Sequence, residues 1–269
     1  MKKMKSFVTL ALTSVLAVSV LAGCGTASQN KDQAGQGQAS APAQKIVMAT
    51  SADYPPYEFH DTSSGNDEIK GFDVDIANYI AKETGYQLEV KDSDFNGLIP
   101  ALQAKRVDFV MAGMTPTDER KKNVDFSEIY YEAKNSIVAP KGSNLKTPES
   151  LAGKKVGVQL GSIQEGDAKE MAKKVQGMQI VPLNKIGDIV QELKSHRIDA
   201  AIIEDTVAKG YSTSNPDIEF NTLPSAGGNG SAVAFPKGST HVEEFNKAIK
   251  KLKDSGELDK LIKKWFEKQ

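Results

Sequence analysis

The stretch Met111-Ala112-Gly113-Met114-Thr115-Pro116-Thr117-Asp118-Glu119-Arg120 gathers residue types that could hold a small anion. An apolar strand, Val107 to Met111, runs into small residues and then into the start of a helix. Thr115 reads as the helix N-cap, Pro116 as its first residue, and Asp118 as the far member of a Thr-x-x-Asp capping box. Such a corner offers backbone N–H groups, the positive end of a helix dipole and one forked guanidinium, Arg120, which together make a receptor for a carboxylate. The same letters also describe an ordinary capped helix with a solvated arginine, so the choice needs the rest of the chain.

A second corner follows the strand Lys155 to Leu160, where Gly161-Ser162-Ile163-Gln164-Glu165 opens a helix with Ser162 as cap and Glu165 as its box partner. It offers N–H groups from the other half of the molecule. Other chemistry is hard to build. His60, His196 and His241 fall in polar turns or at a helix end with no metal-ligand or nucleophile spacing, so neither a metal nor a cofactor is expected. Ala226-Gly227-Gly228-Asn229-Gly230 lacks the Gly-Lys-Ser/Thr of a phosphate loop and reads as a hinge. Asp73 and Asp75 read as helix-start acids, Asp73 as the cap itself, Asp125 as a loop cap, and Glu58 as either a loop acid or a cleft group.

The elements that must position these residues are legible as alternating strands and helices. Lys45 to Thr50 is a strand, followed by the loop Ser51 to Glu58 and a polar turn, Asp61 to Asn66. A helix with Ile76, Tyr79 and Ile80 inward ends at Gly85, and Tyr86, Leu88 and Val90 alternate as a strand. A short helix, Phe95 to Lys105, leads to the first corner. After the second corner, Ile186, Ile189, Val190 and Leu193 form a helix stripe and Ile198 to Ile203 a buried strand. This order predicts an α/β fold of two lobes, each a mostly parallel sheet flanked by helices. Ile137-Val138-Ala139-Pro140-Lys141-Gly142-Ser143 and Val233-Ala234-Phe235-Pro236-Lys237-Gly238-Ser239 echo each other and mark two hinge crossings. Lobe 1 is then 45–134 plus 235–269, with Phe245, Ile249, Leu252, Leu258, Leu261, Ile262 and Trp265 packing back on it, and lobe 2 is 135–234.

The N-terminal region is not part of that fold. Lys2, Lys3 and Lys5 precede an apolar run, Phe7 to Leu21, too short to span a bilayer comfortably, which reads as an export signal over 1–23. Leu21-Ala22-Gly23-Cys24 resembles a bacterial lipobox, which implies a lipidated Cys24, the only cysteine of the chain, on the outer face of a bacterial cell membrane. Residues 24–44, rich in Gln, Ala, Gly and Ser, read as a disordered tether with a reach of roughly 25 Å. A net charge of −1 over 269 residues gives no reason to expect nucleic acid.

Six motifs carry a family resemblance: Tyr54-Pro55-Pro56-Tyr57-Glu58-Phe59, Gly71-Phe72-Asp73-Val74-Asp75-Ile76-Ala77, Phe95-Asn96-Gly97-Leu98-Ile99-Pro100-Ala101-Leu102, the corner ending in Arg120, Val124-Asp125-Phe126-Ser127, and Gly157-Val158-Gln159-Leu160-Gly161-Ser162. In this order, after a lipobox, they resemble the solute-binding proteins of polar amino-acid ABC importers, and most of all the binders of basic amino acids. The resemblance implies a type II periplasmic-binding-protein fold whose two lobes close by hinge motion on a free amino acid. It implies no enzyme activity, a monomeric carrier, and delivery to an ABC permease with its ATPase subunits.

Carried over residue by residue, the resemblance gives Arg120 the ligand α-carboxylate, with Ala112, Gly113 and Thr115 beside it. Ser162 and Ile163 offer lobe 2 backbone and hydroxyl groups, and Ile163 stands where the family often has Thr, so only its N–H can serve. Gln159 and Gln164 are polar contacts, and Glu204, or its neighbour Asp205, takes the α-ammonium. Tyr54 and Phe95 are the aromatic walls, Ser51 replaces an Asp found in some cationic-ligand binders, and Asp53 is the expected acid for a cationic side chain. Arginine is the expected ligand, then lysine, histidine or ornithine. Glutamine or another polar amino acid is the alternative, and a dehydratase on the same fold a more distant one.

Overall fold

The computed structural model describes residues 44–224 and 230–267. The export signal, Cys24, the tether up to residue 43 and most of the glycine-rich hinge (225–229) lie outside the described residues.

Two five-stranded sheets share one plan. In the first, Gln87–Asp92, Lys45–Thr50 and Phe109–Val110 run parallel, and Ala234–Pro236 and Val124–Phe126 complete the sheet in that order. The strand Ala234–Pro236 is antiparallel to both of its neighbours. In the second, Gln179–Leu183, Lys155–Gln159 and Ala200–Glu204 are parallel, followed by Asn135–Pro140 and Ile218–Thr222 in antiparallel pairing. The two echoing segments thus supply equivalent strands, one to each sheet. The crossings lie just before them, where Tyr131–Glu132 pairs with Gly230–Ser231. The loop expected over Ser51 to Glu58 contains a short strand, Asp53–Tyr54, which pairs with Glu58–Asp61 and through it with Glu68–Lys70.

Helices cover the sheets where the apolar periodicity requires. Phe72–Thr84 buries Phe72, Val74, Ile76, Ala77, Ile80 and Ala81, and closes where the Gly85 N–H returns to the Ala81 carbonyl. Tyr79, expected inside, is only partly buried. Ile186–Lys194 buries Ile186, Ile189, Val190 and Leu193. Phe245 of His241–Asp254 packs edge-on against Phe109 and Phe235, each with ring centroids 5.0 Å away, which ties the C-terminal helix to the first sheet. Phe266 continues that contact, 4.8 Å from Phe72 and stacked 4.5 Å from Tyr131.

The start of the helix Phe72–Thr84 differs from expectation in an informative way. Gly71, not Asp73, is the cap residue. At φ +143° a Cβ on Gly71 would stand 2.0 Å from the Tyr57 carbonyl oxygen, so only glycine lets this turn press against the Pro56–Tyr57 loop. Freed from capping, Asp73 turns inward and is fully buried.

Candidate functional site

The first corner is built differently from its sequence reading. The helix is the single turn Asp118–Lys121, and its cap is Thr117, whose Oγ1 accepts from the Arg120 N–H at 3.2 Å. Thr115 cannot be the cap because its carbonyl is bent into the corner, accepting from Thr117 N at 3.0 Å and from Arg120 Nη1 at 2.9 Å. One turn carries little macrodipole, so any anion here depends on the guanidinium.

Arg120 is 9% exposed. Its Nη2 donates to the Gly161 carbonyl at 2.9 Å, and its Cζ lies 5.3 Å from the centroid of the Phe95 ring. Among the described residues no ion pair includes it. Burial lowers its pKa to about 10, which still leaves the group charged at neutral pH. Among the described residues, carbonyl dipoles and a ring face orient this desolvated cation without neutralising it.

Gly161 belongs to the second corner, so Arg120 joins the two. There Ser162 Oγ accepts from Glu165 N at 3.1 Å, as the capping pattern predicts. The Glu165 carboxylate reaches one residue further back than a standard box and accepts from Gly161 N at 2.7 Å. The N–H groups of Ile163 and Gln164, first in the helix Ile163–Ala172, have no carbonyl four residues before them within it. Gln164 Nε2 donates to Asn135 Oδ1 at 2.9 Å, and Asn135 Nδ2 to Asp167 Oδ2 at 2.7 Å, so these amides are locked in orientation.

The negative pole is Glu204, at the end of the central strand of the second sheet and 7% exposed. Its Oε1 accepts from Thr206 Oγ1 at 2.6 Å, and burial pushes its pKa up to about 7. Asp205 is turned to the crossing, where its Oδ1 accepts from Lys134 N at 3.2 Å and its own N–H reaches the Lys134 carbonyl.

Twelve residues line one pocket, with about 350 Å³ of atom-free space among them: Tyr54, Phe95, Ala112, Gly113, Thr115, Arg120, Asn135, Gln159, Ser162, Ile163, Gln164 and Glu204. Eleven of these are sequence-derived candidates. Asn135 is the one that sequence reasoning missed, because an Asn at the start of an apolar strand carries no motif. Ser51 and Asp53 are not in the lining. Their side chains are engaged together, Ser51 Oγ donating to Asp53 Oδ1 at 2.9 Å, while Asp53 Oδ2 accepts from Ile186 N at 2.5 Å. Asp53 thus spends its carboxylate on a helix of the second-sheet side rather than on the pocket.

Gly113 lines the pocket at φ +54°, where a Cβ would come within 3.1 Å of Tyr54 Cε1. Its N–H is not free, since it donates to Asp73 Oδ2 at 2.9 Å. Tyr130 donates its hydroxyl to the same oxygen at 2.8 Å. Behind this support Glu58 is also fully buried, and both of its oxygens and Asp73 Oδ1 lack a donor. Burial raises the pKa of both acids, and their mutual proximity raises that of Glu58 further, so a proton retained on Glu58 supplies the missing donor. Two of the histidines pair with acids away from the pocket: His60 and His241 sit 2.7 Å and 2.9 Å from Asp67 and Glu244.

With this geometry in place, comparison with known proteins is informative. Residues 46–268 match the sequence profile of the bacterial extracellular solute-binding proteins, family 3. The chain is 47% identical over 259 residues to the arginine-binding extracellular protein ArtP of Bacillus subtilis (strain 168), covering 96% of each chain. It is 33% identical over 273 residues to the glutamine-binding ABC transporter protein GlnH of the same organism, covering 98% of each. Among solved structures, an ancestral arginine-binding protein bound to arginine superposes with a TM-score of 0.78 at 42% identity, over 82% of this chain and 98% of that one.

The titration of Glu204 gives a test that needs no ligand. The folded protein holds this proton up to about pH 7, whereas an unfolded glutamate releases it near its ordinary 4.5. Between those values the native state binds more protons, so ionising Glu204 lowers stability as pH rises through the window. Glu204→Gln should therefore be more stable than the parent at pH 8, by up to about 3 kcal/mol, and lose that advantage by pH 4. Thermal midpoints of the ligand-free proteins at both pH values check it; an advantage equal at both would refute the assignment.

Proposed function

We propose, for a chain that belongs to the bacterial extracellular solute-binding proteins, family 3, that its pocket captures a free basic amino acid, arginine first, and delivers it to an ABC permease and its ATPase subunits. The observation that carries this reading is the buried Arg120, without an ion-pair partner among the described residues, in one lining with the buried Glu204. A cation and an acid in one small lining complement a zwitterion, the α-carboxylate on Arg120 and the α-ammonium on Glu204. Tyr54 and Phe95 then flank the side chain, where a planar guanidinium stacks well. The arginine-binding name of the relative at 47% identity supports the same ligand.

In this reading the lobes are 45–134 plus 235–269 and 135–234, and they close over the ligand without turning it over. The protein works as a monomer, exported and held to the outer face of the cell membrane by lipid on Cys24.

One observation favours a second ligand. Among the described residues Glu204 is the sole carboxylate of the lining, so once it holds the α-ammonium a side-chain cation meets no second described acid there. Glutamine would need none, since Gln159, Gln164 and Asn135 can pair with its amide. Competition titration decides between them. Arginine is expected to bind tightest, with lysine and ornithine competing and glutamine weak; glutamine binding as tightly as arginine would reverse the order. In a thermal-shift screen a ligand at a thousand times its Kd adds about 4 kcal/mol, which is readily seen.

Arg120→Ala leaves the α-carboxylate unpaired and should weaken binding by about 2–5 kcal/mol, with Arg120→Lys also poor for want of the fork. Unchanged calorimetric affinity in Arg120→Ala would remove the site. For the anchor, Cys24→Ser should move the protein from the membrane fraction to the medium with ligand affinity intact, since stable anchoring depends on the acyl chains. Retention of that variant on membranes washed with high salt would exclude lipid as the tether.

A further inference from the structure

Asp53, expected to meet the ligand, stands outside the pocket lining, and its carboxylate is engaged elsewhere. It lies on the short strand Asp53–Tyr54, next to the pocket wall, and its carboxylate crosses to the second-sheet side. Oδ2 accepts from the N–H of Ile186, the first residue of the nine-residue helix Ile186–Lys194. Lys185, the cap residue of that helix, accepts no such bond with its own side chain, which cannot accept one at all. The cap is therefore supplied from the other side of the cleft, 133 residues away in sequence.

Three further contacts fix the arrangement. Ser51 Oγ donates to Asp53 Oδ1 at 2.9 Å and so sets the carboxylate's rotation. The Tyr211 hydroxyl, from the helix Asp205–Ser214, donates to the Asp53 carbonyl at 2.9 Å. Lys185 Nζ lies 3.7 Å from Asp92 and 3.6 Å from Asp94, both on the first-sheet side. All but the first join the two sides of the cleft and therefore require the two to be together.

We propose that Asp53 is a latch residue, which caps the helix Ile186–Lys194 across the cleft and thereby sets how long a bound amino acid stays enclosed. The inference rests on the solute-binding reading for its ligand but not for the contact itself. A latch that touches no ligand stabilises the closed state whatever is inside. It therefore scales every ligand's affinity by one factor, the change in the closed fraction, and acts through the dissociation rate. An acid paired with a cationic side chain would act on arginine and lysine alone. The two roles also differ in what asparagine can do: an asparagine oxygen caps a helix about as well as an aspartate oxygen, but it carries no charge for a guanidinium.

The test is stopped-flow dissociation and equilibrium titration of Asp53→Ala and Asp53→Asn, with hydrogen exchange at the Ile186 amide. Asp53→Ala should dissociate about tenfold faster for every amino acid that binds the parent, the scale of a lost helix cap. Asp53→Asn should restore most of the parent's residence time, and the Ile186 amide should exchange faster in Asp53→Ala alone. A loss confined to cationic ligands and equal in both variants would overturn the latch and make Asp53 a ligand-pairing acid. Unchanged dissociation rates would overturn it outright. Should Asp53→Ala fail to fold, Tyr211→Phe removes one crossing bond with little change of shape, and an unchanged dissociation rate there counts against the latch. If no amino acid binds the parent, the solute-binding reading fails, while the latch is still judged by the amide: protection lost in Asp53→Ala supports it, and no protection in the parent refutes it.

Discussion

A single desolvated charge organises the cleft. Taking a guanidinium out of water costs several kcal/mol unless something replaces its hydration. Around Arg120 the replacement is incomplete by design of the chain: two carbonyls, Thr115 and Gly161, and the ring of Phe95. Carbonyl dipoles orient the fork without neutralising it. The remaining electrostatic demand is what a carboxylate satisfies, and because one carbonyl comes from each corner, satisfying it also favours the two corners being together. In the proposed reading, recognition and closure share an atom group.

The acids nearby are disposed so that they do not quench this demand. Glu204 shares the lining but has its own hydroxyl partner in Thr206, and burial favours its protonated form over a wide pH range. An ammonium ligand would draw the proton off and leave a matched ion pair, so charge develops at that pole when it is useful. Glu58 and Asp73 sit behind the wall, where Asp73 grips the Gly113 N–H and Tyr130 hydroxyl. Their part is support. Gly113 at positive φ lets Tyr54 approach the corner, and Asp73 holds Gly113 there.

Most of this was legible in the sequence, and the exceptions have a common cause. Apolar periodicity located the strands and helices of both sheets because burial of one face is dictated locally by spacing. The Ser162 cap was legible for the same reason: a cap is a contact between neighbours in sequence. The Thr115 cap was misplaced by two residues because Thr117 offers the same chemistry, and only the tertiary use of the Thr115 carbonyl by Arg120 decides between them. The partners of Asp73 and Asp53 were not legible at all. Both carboxylates serve partners 40 and 133 residues away, Gly113 and Ile186, and no local pattern encodes such a partner. Asn135 escaped notice because its role, fixing the rotation of Gln164, exists only once the crossing strand and the second corner are adjacent.

Under the proposed function, three properties of a carrier fall to different atoms. In the proposed reading, selection of an α-amino acid over other solutes falls to Arg120 and Glu204, which would see only groups common to all of them. Selection among amino acids belongs to the part of the wall formed by Tyr54, Phe95 and the amides Gln159, Gln164 and Asn135, all of which present rings or neutral dipoles rather than charge. The stability of the closed state belongs in part to contacts outside the pocket, in particular Asp53 with Ile186 and Tyr211 with the Asp53 backbone. Such a separation has a physical consequence for how ligand preference can drift. Neutral wall groups lose little when one side chain replaces another, whereas a buried acid aimed at a cation would be left unpaired by a neutral ligand at a cost of several kcal/mol. A wall without a second carboxylate therefore discriminates arginine from glutamine by stacking area and hydrogen-bond geometry. Differences of that kind amount to a few kcal/mol in total, so few substitutions in the wall are needed to move the preference.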